Sequence, residues 1–192
     1  MNAAGLTELL SEVHPEADVR ALAEEAMQEA AALVTARDQD RGLFDVIASV
    51  EASALDADAA RLLERVLRDF RRGGVDRDEA TRTRLAEIAA RVTVIEQDFS
   101  RNVRDDVRSI RLSPDRLAGL PQDFIDAHPA GDDGLVEITT DYPDVRPFRT
   151  FAQDREARED ITRAFNSRGW PANDPLLHEL LDLRHEQAGL LG

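Results

Sequence analysis

Residues Asp78 to Asp106 read DEATRTRLAEIAARVTVIEQDFSRNVRDD, and this stretch decides the fold class. Leu85, Ile88, Val92, Ile95 and Phe99 recur at steps of three and four, which is the period of one helical face. The spacing predicts a single long helix, roughly 40 Å from end to end at 1.5 Å per residue. A helix of that length predicts a mainly α fold: an elongated helical bundle with this helix at its centre.

Upstream, Gly73-Gly74 closes a preceding helix, because Gly tolerates the left-handed backbone of a C-terminal cap. Asp56 caps its start by accepting from exposed N–H groups. Ala59, Leu62, Leu63, Val66, Leu67 and Phe70 form its apolar face. A further helix is predicted over Leu43 to Ala54, with Leu43, Phe44, Ile47 and Val50 inward. The first strong segment runs from about His14 to Arg37, with Pro15 at the first helical position, where its missing N–H is not needed. Val19, Leu22, Ala23, Ala26, Ala30, Leu33 and Val34 give it one apolar stripe.

Downstream the period changes. Ile110 and Leu112 alternate with Ser109 and Arg111, and Val136, Ile138 and Thr140 alternate within Leu135 to Tyr142. Both are strand patterns. Two strands alone are marginal in water, so a small antiparallel element is expected near 108–112 and 135–142, packed on helices. Short helical turns are expected at Ser113-Pro114 through Leu117 and at Phe124-Ile125, and a loop at Ala130 to Gly134. Helix is expected again from Gln153 to Gly169, with Ala157, Ile161, Ala164 and Phe165 inward. A last helix opens at Asp174-Pro175 and buries Leu177, Leu180, Leu181, Ala188 and Leu191. No repeat or linker divides the chain, so residues 1–192 are expected to form one helical region.

Composition narrows function. The chain has 39 acidic and 24 basic residues, and 24 − 39 gives a formal charge of −15. Every basic residue is Arg. This balance argues against nucleic acid, which needs a clustered positive surface, and against an anionic membrane. No apolar run reaches the ~20 residues of a membrane span. Met1 to Leu10 lacks the pattern of a signal peptide. Cys is absent, which suits a reducing compartment and excludes thiolate chemistry.

Chemical motifs are sparse. The four histidines are His14, His128, His178 and His185. A helical zinc hydrolase needs two His four residues apart with Glu beside the first. His185-Glu186 begins that pattern, but Gly189 stands where the second His is required. His178 with Asp182 offers at most a two-ligand surface site. No nucleophile elbow or phosphate loop occurs. Carboxylate pairs such as Asp105-Asp106 and Glu24-Glu25 are expected as solvated faces in so acidic a chain. Arg101, Arg104, Arg108 and Arg111 follow a 3-4-3 spacing at the end of the long helix. They suit either a carboxylate ligand or salt bridges to Asp98, Asp105 and Asp106. The second is the expectation. No residue is assigned as catalytic, metal-binding or substrate-binding.

Five segments together resemble a known family. Leu85 to Ile88 through Ile95-Glu96-Gln97-Asp98-Phe99-Ser100-Arg101-Asn102, Leu120 to Asp126, Ile138 to Pro143, Arg163 to Arg168, and Leu183-Arg184 with Ala188 to Gly192 resemble, in order, the zinc metallopeptidases of the thimet oligopeptidase, neurolysin and oligopeptidase A family. The resemblance implies a parent enzyme that cleaves short peptides in a channel between helical lobes. Its zinc would be held by a His-Glu-x-x-His helix and a later Glu outside this sequence. It implies that residues 1–192 are part of the N-terminal lobe: a non-catalytic segment of channel wall, inactive alone and without a cofactor of its own. The terminal Leu190-Leu191-Gly192 is expected to be a cut. A cytoplasmic location is expected, as is weak self-association through an exposed lobe face. The alternative is a standalone helical scaffold that binds peptides or a protein without enzymatic activity.

Overall fold

The computed structural model describes residues 3–192. Among them are nine α-helices and one two-stranded sheet, in the order α1 (Ala3–Val13), α2 (Ala17–Asp38), α3 (Arg41–Ala48), α4 (Ala57–Arg72), α5 (Glu79–Asp105), β1 (Ser109–Leu112), α6 (Gln122–Ala127), β2 (Val136–Thr139), α7 (Tyr142–Phe151), α8 (Arg155–Asn166) and α9 (Asn173–Leu191). The strands are antiparallel, with Ser109 opposite Thr139 and Leu112 opposite Val136. The mainly α class and the small antiparallel element are therefore as expected. No described helix is long and apolar enough to cross a membrane.

Aspartates start four of the helices. Asp40 accepts from the Leu43 amide (2.9 Å), Asp56 from Ala59 (2.8 Å), Asp78 from Thr81 (2.9 Å) and Asp154 from Ala157 (3.0 Å). Each satisfies a donor that the first turn cannot pair internally. The expected cap at Gly73-Gly74 also forms. Gly74 sits at φ +85°, the Val75 amide reaches the Phe70 carbonyl (3.2 Å) and the Gly74 amide reaches Arg71 (3.0 Å). That pair of bonds is the Schellman arrangement, and it buries Val75 and Phe70 together.

The chain forms two compact units: residues up to Gln97 with Leu177–Gly192, and Asp98–Leu176. The second unit holds a consolidated core of Leu112, Leu117, Phe124, Val136, Ile138, Val145, Phe148 and Ile161. Its sheet buries Val136, Ile138 and Thr140 on one face, as their alternation predicts. In the first unit Leu85, Ile88 and Ile95 of α5 are buried, as are Phe70 and Ala23. The Phe44 and Phe70 rings lie 5.9 Å apart.

Several expectations are corrected. The helix expected from His14 begins at Ala17, so Pro15 precedes it. The His14 and Pro15 carbonyls instead accept from the Arg20 guanidinium (2.7 and 3.0 Å). The helix expected to Ala54 stops at Ala48. The Ser49 hydroxyl takes the Val46 carbonyl (2.7 Å) that the next helical amide needs, and the Val50 amide turns to Ile47 (3.2 Å). A separate 3-10 turn covers Ala52–Ala54. The second strand ends at Thr139 rather than Tyr142, because Tyr142 opens α7, a helix that was not expected. Pro143 there occupies the first turn and needs no partner. The helix expected from Gln153 to Gly169 spans Arg155–Asn166. Leu22 (64 %), Leu33 (72 %) and Val34 of α2 are exposed, and so are Leu177, Leu181 and Ala188 of α9, all of which were expected inside.

Candidate functional site

The four arginines singled out by spacing do not share a helix face. α5 ends at Asp105, so Arg108 lies beyond it and Arg111 lies in β1. Each has an aspartate partner. Arg101 pairs with Asp98 (2.8 Å), Arg104 with Asp105 (3.1 Å), Arg108 with Asp106 (2.8 Å) and Arg111 with Asp133. The expected partners Asp98, Asp105 and Asp106 are all used; Asp133 was not foreseen.

The Asp106–Arg108 pair anchors a loop. The Asp106 carboxylate also accepts from the Gly169 amide (2.8 Å), and the Arg108 guanidinium donates to the Trp170 carbonyl (2.8 Å). Arg108 first, then the Gly169 amide, hold the Asp106 carboxyl below the usual range against the cost of burial. The Asn102 amide donates to Asn173 Oδ1 (2.8 Å), and the Asn173 amide donates to the Phe99 carbonyl (3.1 Å). These groups are structural ties with their hydrogen bonds spent.

A second polar knot joins α6, β2 and α7. His128 stacks on Phe124, with ring centroids 4.2 Å apart. Its Nδ1 lies 2.7 Å from the Phe124 carbonyl and its Nε2 lies 3.1 Å from Asp144 Oδ1. Burial would raise the Asp144 carboxyl, but the Thr139 hydroxyl (2.5 Å) and amide (3.1 Å), with His128, outweigh it and hold the group below its usual range. His128 and Asp144 resemble an acid–base pair in composition. Both ring nitrogens and both carboxylate oxygens already have partners, so the knot ends the strand and starts α7.

The residues do not fit zinc. Among the described residues no group of three or more His, Asp or Glu is placed to hold a metal ion. His178 and Asp182 are exposed on α9. Glu186, which would be the base of a zinc motif, instead grips Arg84 at both oxygens (2.6 and 2.9 Å). Glu179 grips Arg91 in the same way (2.6 and 2.7 Å).

Two of the surface concavities among the described residues combine apolar walls with polar side chains. One, of about 330 Å³, lies between α2 and the Ala86–Val94 part of α5 and is lined mainly by Ala and Thr. Gln28 and Gln97 bridge it (2.7 Å), and Gln97 also donates to the Glu24 carbonyl (3.0 Å). The other, of about 460 Å³, is lined by Tyr142, Val145, Arg146, Arg149, Thr150 and Phe165. The Tyr142 and Phe165 rings meet edge to face at 5.7 Å. Sequence reasoning missed this second place, because its residues come from α7, which was not foreseen, and from α8. A signal did exist: neither Arg146 nor Arg149 has an acid three or four residues away.

No family model matches the chain. Individual relatives do. Oligopeptidase A of Haemophilus influenzae is 31 % identical over 174 residues, covering 80 % of this chain and 25 % of that protein. The thimet-like oligopeptidase of Dictyostelium discoideum is 30 % identical over 142 residues, 73 % of this chain and 21 % of that protein. Saccharolysin of Saccharomyces cerevisiae is 26 % identical over 148 residues, 74 % of this chain and 21 % of that protein. The chain thus spans about a quarter or less of the length of these relatives. Similarity over most of the chain to proteins from a bacterium, an amoeba and a yeast, together with the helical fold carrying the five segments in order, places this chain in the oligopeptidase A and thimet oligopeptidase family.

Proposed function

We propose that these 192 residues are the non-catalytic helical part of a zinc oligopeptidase acting on short peptides, and that they build part of its substrate-channel wall. One observation carries the proposal: the match covers 80 % of this chain but 25 % of its Haemophilus relative. The lone His185-Glu186, with Gly189 in place of a second His, supports it. Zinc would then be held by residues outside this stretch, and no chemical step is assigned to any residue here. A cytoplasmic location belongs with this proposal and agrees with a chain that carries no Cys.

Two measurements test it. The purified chain, mixed with a fluorogenic short peptide, should give no hydrolysis above background with or without added zinc; hydrolysis that appears with zinc and vanishes with a chelator would remove the non-catalytic assignment. In the longer protein, a photoreactive short peptide should crosslink to these residues. Crosslinks confined to other regions would remove the channel-wall role.

Weak self-association is part of the same proposal, since Leu22, Leu33 and Leu62 stand exposed on the first unit. Sedimentation velocity should show an average mass that rises with concentration. A constant 21.3 kDa species contradicts it.

A further inference from the structure

Three guanidinium groups gather on two aromatic rings in the second unit. Arg168 lies 3.9 Å over the Phe165 ring and 5.9 Å from the Tyr142 ring. Arg149 stands 5.9 Å from Phe165, and Arg146 stands 5.9 Å from Tyr142. The chain offers 39 carboxylates to 24 arginines, yet none of these three has an ion-pair partner among the described residues. Asp144, the acid closest in sequence to Arg146, is committed to Thr139 and His128. Asp106 feels the charge of Arg168 but is held by Arg108 and Gly169.

We propose that this pocket binds the carboxylate of a short peptide, with the two rings and Val145 supporting the neighbouring apolar side chain. The assignment rests on the peptide-processing role proposed above and names the group that would be recognised. Stacking on a ring holds a guanidinium flat and leaves its in-plane N–H groups free for an anion. Arg168 spends one donor on the Phe165 carbonyl (3.2 Å), and its terminal amino groups remain available. Arg146 and Arg149 project one turn apart on α7, and two such forks suit the two oxygens of a carboxylate. Like charges brought together without direct ion-pair partners repel one another. An anion from outside completes the arrangement, and the volume of about 460 Å³ admits a side chain beside it.

The test is calorimetric titration of the 192-residue chain with three N-acetylated tetrapeptides of the same apolar sequence: a free C-terminal acid, its amide, and an amide carrying one internal Glu. Inorganic phosphate serves as a fourth probe. The free acid is expected to bind at least about tenfold more tightly than the plain amide, as for loss of one charged hydrogen bond. Arg149→Gln and Arg168→Gln should each abolish that preference, whereas Arg41→Gln, an exposed charge in the first unit, should not. The Glu-containing amide separates a side-chain carboxylate from a terminal one as the source. If Arg168→Gln fails to fold, Arg149→Lys, which keeps the charge and loses the fork, should still reduce the preference severalfold. Equal binding of acid and amide, unchanged in the variants, would overturn the carboxylate pocket and leave peptide handling intact. Phosphate binding with no peptide preference would overturn the peptide source. No binding of any probe would overturn both.

Discussion

Asp154 carries two duties with one carboxylate. Its Oδ1 accepts from the Ala157 amide at the start of α8, and its Oδ2 receives the Arg116 Nε at 2.6 Å. Arg116, then the Ala157 amide, pull the carboxyl down from its ordinary value to about 2. A group whose folded-state pKa is depressed adds stability above its unfolded value, and that stability is lost as pH falls towards the folded one. Asp154→Asn should therefore unfold at a lower denaturant concentration than the parent at pH 6, and the gap should close between about pH 4 and pH 2. A gap that persists at pH 2 would show that the side chain acts through shape and not charge. The same economy recurs at Asp106 and Asp144, which each join backbone and side-chain donors from separate segments. These residues look like candidate acids in a sequence but are joints in the structure.

At the scale of elements, the turns are as exacting as the helices. Gly119, between the 3-10 turn at Pro114–Leu117 and α6, sits at φ +92°. A Cβ there would lie 2.5 Å from the Phe151 carbonyl oxygen, a backbone atom with no rotamer to yield. Gly119→Ala should cost about 1–3 kcal/mol for the strained backbone alone, read as a lower urea midpoint; an unchanged midpoint would show that the loop moves aside. The local cues in this chain were legible where they were chemical. Asp56, Gly73-Gly74 and the alternation at Val136, Ile138 and Thr140 each announce their structure because one residue type answers one backbone need. Helix α1 was not legible: it is 11 residues long and lies against α2, where Ser11 contacts Met27 at 3.5 Å. Helix α7 was hidden by Pro143 and Pro147, which read as breakers although Pro143 lies in the first turn. The aromatic pocket was missed for the same reason, since five of its six lining residues stand on α7. Periodicity also overstated burial: Leu22 and Leu33 keep helical spacing but find nothing among the described residues to cover them.

Across the whole molecule, apolar burial is uneven. The consolidated core belongs wholly to residues 98–176, whereas the large exposed apolar residues fall mostly in the first unit, among them Leu9, Leu22, Leu33, Val46 and Leu62. Opening free energy follows the density of buried contacts. Amides of Ile138, Phe148 and Ile161 should therefore exchange with solvent more slowly than those of α2, as mass spectrometry after deuterium labelling would show; equal protection would mean that the first unit is steadied by contacts beyond its burial. The first unit is also interrupted in sequence. Its last segment, Leu177–Gly192, is fastened back by Arg84 to Glu186 and by Arg91 to Glu179, pairs 102 and 88 residues apart. Chains emerge from the ribosome in order, and domains mostly fold in that order. Here the second unit has every residue of its core once residue 176 is made, whereas the unit that emerged first still lacks the segment that Arg84 and Arg91 hold.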